Sequence, residues 1–464
     1  MLTLGMGIGA TTAIFSAVHA ILLAPLPFRE PQQLVRVMRE TQRGTRTSSS
    51  GGDFLEFQRT TRTLSGLTSY FVSTGNLVGF GPPQRVQVAR TSHNFLDVLG
   101  IPLLLGRKFT ADEDTYKAAE VALLSEGSWR RLFGADPDVV GRTVRMDGQA
   151  VQIIGVVREG RGFPEGVELW LPAKYEPGMM ADDNRGASFL RLIGRLAPGT
   201  TLEQANAEFR AMSRSISERF PDERSATTST LTSFEASLVG DVRGPLWILL
   251  GTVVLVLLVA CTNVAALLLG RVMARDHELS IWASLGAGRG RLIRQLLTES
   301  TTLGVIGAAA GAAIAVGLVR LLVNLAPYIP RIGAVRVNAP MLAFSIGLGI
   351  LTGLVFGVVP AWQASRRDLQ VHPRGGGRGQ TGSLQAGRIR GALVIGQFAM
   401  AIILLAGAGL LVRTFLEMRA VDPGVRHTQC HDVHRHAAPG WFLRRHVRRD
   451  CRPAPVPAPD ATRA

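Results

Sequence analysis

Residues able to do acid–base, nucleophilic or metal chemistry are few and scattered. Asp112, Glu113 and Asp114 form the densest acidic group. Nothing stands at a spacing that would pair them as general acid and base or complete a metal site, so they read as a solvated loop. His93 stands alone and reads as a surface or core histidine. Residues 425–464 hold five of the nine histidines and two of the three cysteines. Cys430, His431, His434 and His436 are metal-ligand types. The tract lacks a second ligand pair and any fold-forming pattern, so it reads as a disordered or frame-shifted tail. Gly286–Gly290 lacks the Lys-Ser/Thr ending of a phosphate-binding loop. No Ser-His-Asp, Cys-His or paired-carboxylate arrangement is present. The expectation is a protein without catalytic residues, metal or cofactor of its own, working mechanically.

The stretch best suited to mechanical work is 271–300, RVMARDHELSIWASLGAGRGRLIRQLLTES, flanked by two apolar runs. A charge at the bilayer centre costs about 2.5–3.5 kcal/mol even on insertion scales, so this stretch must lie on one membrane face. Leu279, Ile281, Trp282 and Leu285 predict the apolar side of a surface helix, with Arg275, Asp276 and Glu278 on its wet side. Gly286-Ala287-Gly288 breaks the stretch in its middle. A helix pinned between two spans is a lever, because a partner that pushes on it moves both.

Five apolar runs supply the spans. Residues 2–23 carry no charge and match the roughly 20 residues a spanning helix needs. They lack the basic start and cleavage pattern of a signal peptide, so 1–24 reads as a true span. Gly5 and Gly9 permit close helix contact. A second span is expected at 245–270, with Asn263 bonding across to another helix. A third is expected near 302–325, with Gly307 and Gly311 on one face. The fourth, 341–362, carries Gly349, Gly353 and Gly357 at four-residue spacing, again a close-packing face. Residues 363–390 read as a cytoplasmic linker before a fifth span at 391–411.

Between the first two spans, 25–243 reads as an α+β unit. Arg85–Thr91 alternates as a strand does. Val121–Leu124 is followed by Ser125 and a helix through Phe133. The runs 141–147 and 149–157 predict a hairpin turning at Asp147-Gly148. Thr201 predicts the N-cap of a helix to Phe220. Trp129 and Trp170 read as core anchors. The fold class is thus an α-helical membrane protein of about five spans with a large α+β extracytoplasmic domain. That domain contains no cysteine and must rely on its core.

The net charge of +16 suggests nucleic acid until it is located. Residues 1–243 hold 27 Lys+Arg against 26 Asp+Glu, and residues 244–464 hold 24 against 9. The excess therefore lies in loops beside anionic lipid, not in a nucleic-acid groove. Loops 271–294 and 363–390 are Arg-rich, whereas 326–340 has only Arg331 and Arg336. The positive-inside bias places the first two in the cytoplasm and 25–243 outside. Arg29, Arg36, Arg39 and Arg43, just past the first span, run against this bias, but long translocated domains largely escape it.

The run ARDHELSIWASLGAGRGRLIRQLLTES, with its Glu-Leu, Leu-Gly-Ala and Gln-Leu-Leu-x-Glu steps, resembles the cytoplasmic loop of FtsX/MacB-type ABC transporter permeases. Trp282 stands where those permeases usually carry Arg. The runs LLAPLPFREPQQLVRV and VALLSEGSWRRLFGADPDVVGRTVRMDGQAVQIIGVV resemble the MacB-type periplasmic core domain. VPAWQASRRDLQ resembles the end of the first helical bundle, and GLLVRTFLEMRAVDPG the start of a second permease half. After that the pattern stops, and the chain is expected to be truncated after its first half.

The resemblance implies a permease in the bacterial inner membrane, driven by a separate ATPase subunit that binds the ATP. The coupling helix would lie at about 273–294, with Glu278, Leu279, Leu285, Gly286 and Ala287 facing the ATPase. It implies efflux or extraction of substrate, a homodimer or pairing with a second permease half, and a periplasmic adaptor. It leaves open the alternative of a scaffold that regulates a periplasmic partner without transport.

Overall fold

The computed structural model of the chain describes residues 2–40, 44, 46–79, 82–221, 228–274, 289–325, 329–336, 338–366 and 381–420. The chain starts with helix α1 (Leu2–Val18), which passes into one π-helical turn, His19–Leu23. It then enters a mixed sheet of β1 (Leu34–Glu40), β2 (Arg46–Thr47), β3 (Leu64–Val78), β4 (Gln84–Thr91), β5 (Leu103–Gly106), β6 (Val121–Ser125), β7 (Thr143–Met146), β8 (Gln149–Val157), β9 (Leu169–Pro172), β10 (Arg191–Leu196) and β11 (Thr228–Ser233). The order is β11-β1-β10-β3-β4-β9-β6-β8-β5, with β2 beside β1 and β7 bridging β3 and β8. β4–β9 and β6–β8 are parallel, and the other pairs are antiparallel.

Four helices attach to the sheet: α2 (Gly51–Thr60), α3 (Phe95–Leu99), α4 (Glu126–Phe133) and α5 (Leu202–Arg219). Local chemistry sets their ends. Ser125 accepts from the Ser128 amide and starts α4. Thr201 and Gln204 close a reciprocal capping box on α5. Asp147 (φ 48°) and Gly148 (φ 84°) supply the two left-handed residues that a tight β7–β8 hairpin needs. Phe54 and Phe57 of α2 and Phe209 of α5 fill one core against β1 and β10. Val151, Ile153 and Val156 of β8 fill a second with Phe133. Trp170 is buried and donates to the Phe163 carbonyl at 2.7 Å, while Trp129 packs at the rim of the second core.

The acidic triplet departs from the solvated loop expected of it. Glu113 receives both guanidinium nitrogens of Arg107, at 3.0 and 2.6 Å, and Asp114 receives the backbone amides of His93 and Lys174, at 2.8 and 3.0 Å. Arg107 lies only six residues before Glu113, whereas His93 and Lys174 lie 21 and 60 residues from Asp114 and leave no spacing to read.

The remaining helices are α6 (Phe234–Ala274), α7 (Arg289–Leu325), α8 (Ala339–Arg366) and α9 (Thr381–Ala420). Among the described residues, four runs are long and apolar enough to cross a membrane: Leu2–Leu23, Val242–Leu267, Leu297–Leu325 and Gly391–Thr414. In α8 the described apolar run, Ala339–Val355, is shorter. α9 already begins at Thr381, inside the stretch read from the sequence as linker.

Glycines let α1, α7 and α8 approach closely. A Cβ on Gly9 would stand 2.9 Å from the Gly311 carbonyl oxygen, and one on Gly311 would stand 3.0 Å from the Gly9 nitrogen. Gly5 faces Ala310, and Gly307 faces Leu4. On the other side of α7, Gly349 meets the Gly304 carbonyl and Gly353 meets the Ser300 carbonyl, while Gly357 lies against the Ser300 side chain. Ser345 adds a bond to the Ala308 carbonyl at 3.2 Å. In lipid, where no hydrophobic drive joins apolar helices, such close backbone packing and interhelical bonds hold them together.

Candidate functional site: the junction of spans and domain

Three chain segments meet where the first span gives way to the sheet. α1 ends in the π turn, which displaces its last carbonyls from regular helical partners. Arg331 lies in the turn between α7 and α8. It takes a left-handed φ of 62° and is buried. Its guanidinium donates to the carbonyls of Ile21, at 2.9 Å, and Pro25, at 3.3 Å. Its own amide donates to Glu165 Oε2 at 2.8 Å.

The third segment is the loop after β8, residues 158–167. Arg161 donates to the Pro27 carbonyl at 2.8 Å. Arg195 of β10 donates to the carbonyls of Arg29, at 2.7 Å, and Val98, at 2.9 Å. Arginine side chains thus hold the carbonyls of residues 21, 25, 27 and 29 in succession. The planar guanidinium suits this role, because it presents several donors at fixed angles and stays protonated. Glu159 adds an ion pair with exposed Arg336 at 3.3 Å.

An aromatic cluster backs these bonds. Phe28 follows the first span, Phe163 sits in the 158–167 loop, and Phe234 opens α6. Phe28 lies edge-on to Phe163 and Phe234, with centroids 6.1 and 5.8 Å apart, and Phe163–Phe234 is 5.2 Å. Tyr70 and Phe95 complete the cluster. Edge-on pairs of this kind contribute about 0.5–1.5 kcal/mol beyond area burial. Below it, Ile21, Val239, Leu246, Ile332, Val335 and Met341 pack the outer ends of the spans.

Burial shapes the charges here. It pushes the Glu165 carboxyl above its usual range, opposed by the amide and charge of Arg331. It pulls the Arg331 guanidinium down, opposed by Glu165 and Glu235.

α6 starts in this cluster. It runs for 41 residues from Phe234 to Ala274, about 60 Å at 1.5 Å per residue, twice the hydrocarbon thickness of roughly 30 Å. Pro245 cannot donate to the carbonyl of residue 241, so one helical bond is missing where α6 enters its span.

Of the residues singled out from the sequence, Glu278, Leu279, Leu285, Gly286 and Ala287 lie outside the described residues, as do Cys430, His431, His434 and His436. Asn263 accepts from Gln397 of α9 at 2.8 Å. Gly307, Gly311, Gly349, Gly353 and Gly357 lie in the helix contacts given above. Arg39, which ran against the charge bias, is buried in the domain and donates to the Arg185 carbonyl at 2.9 Å. Arg331, Arg161, Arg195 and Glu165 do not stand out in the sequence. The one available signal is that a loop with only two basic residues places one of them next to proline and glycine turns.

Two family models match the chain: the MacB-like periplasmic core domain over residues 1–212 and the FtsX-like permease C-terminal over residues 250–369. The chain is 26% identical over 290 residues to the pyoverdine export ATP-binding/permease protein PvdT of Pseudomonas syringae, covering 59% of this chain and 40% of that protein. It is 25% identical over 292 residues to the macrolide export ATP-binding/permease protein MacB of Burkholderia thailandensis, covering 61% and 42%. It is 27% identical over 276 residues to the uncharacterized ABC transporter permease YknZ of Bacillus subtilis, covering 59% and 66%. The chain therefore spans about two fifths of the two export proteins. Among solved structures, the periplasmic region of MacB from Actinobacillus actinomycetemcomitans matches at 12% identity, with 49% of this chain and 97% of that one covered and a TM-score of 0.34. With both family domains in this order, the chain is a multi-pass membrane protein with a large extracytoplasmic domain that resembles the MacB/FtsX-type permeases of ABC transporters.

Proposed function

We propose that the chain is a transport subunit that converts ATP hydrolysis on a separate subunit into movement of its extracytoplasmic domain, for export of a substrate. The observation that carries this reading is α6, a helix that continues past Pro245 from the domain core at Phe234 to Ala274, at the edge of the coupling stretch. A displacement applied at 273–294 is delivered along that rod to the aromatic cluster. Glu278, Leu279, Leu285, Gly286 and Ala287 are the surface that meets the ATPase, and α7 carries the same displacement to the Arg331 turn. The names of the relatives, which pair ATP-binding with permease and export, support the same direction.

The test is co-expression with a candidate ATPase subunit, purification in detergent and measurement of ATP hydrolysis. A stable complex that Leu285→Asp and Gly286→Asp abolish is expected. Failure of every ATPase of the source genome to bind the intact chain overturns the reading.

A further inference from the structure

Arg331 joins three segments at the junction. Through its guanidinium it holds the end of the first span, at Ile21 and Pro25. Through its amide it holds the domain loop, at Glu165. Its backbone belongs to the turn between α7 and α8. The three segments otherwise meet through apolar contacts, the Arg161 bond to the Pro27 carbonyl and the Arg336–Glu159 pair, which is exposed and so adds little. Arg331 is 7% exposed and Ile21 is 1% exposed. Water therefore cannot easily replace the bond to Ile21, and breaking it leaves a buried carbonyl unpaired, while Pro25 and Glu165 are exposed.

The glycine contacts extend the reach of this connection. α1 and α8 both lie against α7 backbone to backbone. Any shift of α7 reaches the Arg331 turn at once. From there it can reach the domain by two routes, Ile21–Pro25–Phe28 and Glu165–Phe163. Both end in the same aromatic cluster.

We infer that Arg331 is a positioning residue that fastens the exit of the first span and the 158–167 loop to the α7–α8 turn, so that the three move together. The inference rests on the transport reading for the direction of the motion, while the fastening stands on the geometry alone. Two donors on one rigid fork are needed, so lysine is a poor substitute: one ammonium keeps the charge but cannot span both carbonyls in fixed geometry.

The experiment is hydrogen exchange on the full chain in lipid nanodiscs, alone and with its ATPase subunit and ATP. In Arg331→Gln, which removes the guanidinium bonds and keeps the amide bond to Glu165, amides of residues 19–28 should exchange about tenfold faster or more, while 158–167, β1, β3 and β10 stay protected. Arg331→Lys should fall between. With the ATPase present, wild type should show a nucleotide-dependent change in 19–28, and Arg331→Gln should lose it while ATP hydrolysis continues. A purely structural arginine would instead lower hydrolysis and protection throughout.

Retention of the nucleotide response in Arg331→Gln overturns the inference. If wild type shows no nucleotide response, the transport reading fails, and the nucleotide-free comparison still decides: loosening of 19–28 upholds the fastening, and unchanged exchange there overturns it. Should Arg331→Gln not fold, Glu165→Ala replaces it. That variant should loosen 158–167 and leave 19–28 unchanged, and the opposite pattern overturns the inference.

Discussion

The guanidinium of Arg331 donates to the carbonyl of Ile21 across 2.9 Å, joining positions 310 residues apart in the chain. One partner ends the first span and the other turns the chain between the third and fourth. Their contact places loop 329–336 on the same membrane side as the domain. The positive-inside reading, in which the loop with only two basic residues lies outside, reaches the same placement independently.

The aromatic cluster should be the domain's main anchor to the spans. Phe163 is 7% exposed and touches Phe28, Tyr70, Phe95 and Phe234. Phe163→Ala is expected to cost about 3–5 kcal/mol and lower the melting temperature of the full chain in detergent by roughly 10 °C. An unchanged melting temperature would show that the cluster bears little of the fold.

The glycine contacts predict a sharp contrast between two positions. A Cβ on Gly349 would stand 2.6 Å from the Gly304 carbonyl oxygen, whereas one on Gly317 meets nothing within 4 Å. Gly349→Leu should separate α8 from α7 and shift the protein toward aggregation in size-exclusion chromatography. Gly317→Ala should elute as wild type. Equal behaviour of the two would discount the seam.

Asn263 and Gln397 bond at 2.8 Å between α6 and α9. A double-mutant cycle with Asn263→Leu and Gln397→Leu should give a coupling of about 0.5–2 kcal/mol in steric-trap or denaturation measurements in detergent. Additive effects would mean that the two side chains act separately.

Glu208 sets a pH dependence. Burial pushes its carboxyl upward, but the amides of Arg62 and Thr63 and the hydroxyls of Thr61 and Thr63 outweigh that and hold it below the usual range. A depressed folded value means that the stabilisation is full above the ordinary glutamate range and lost as pH falls through the folded value. The melting temperature of wild type should therefore fall as pH drops below about 4. Glu208→Gln should flatten that fall, and an unaltered pH profile would remove Glu208 as its source.

The spans were legible because lipid imposes a one-dimensional rule: uncharged runs of sufficient length cross, and charge stays out. Short-range chemistry was equally readable. Ser125, Asp147-Gly148 and Thr201 each act on residues within a few positions, so spacing alone reveals the α4 cap, the hairpin and the α5 capping box. The early start of α9 differs because helix length follows backbone bonding, while the expectation followed hydropathy.

The sequence by itself determined that this chain is a membrane protein of several apolar helices with one large outer domain, and which glycines allow close approach. Only the tertiary structure decided what those glycines approach, that Glu113 and Asp114 are bonded and not free in solvent, and that Arg331, Arg161 and Arg195 hold successive carbonyls of one short connection. The physical reason is range. Hydropathy and capping are properties of neighbours in the chain, whereas an arginine on a carbonyl hundreds of residues away leaves no periodicity to read. It exists only once the spans have packed and the sheet has brought β8 and β10 beside the end of α1.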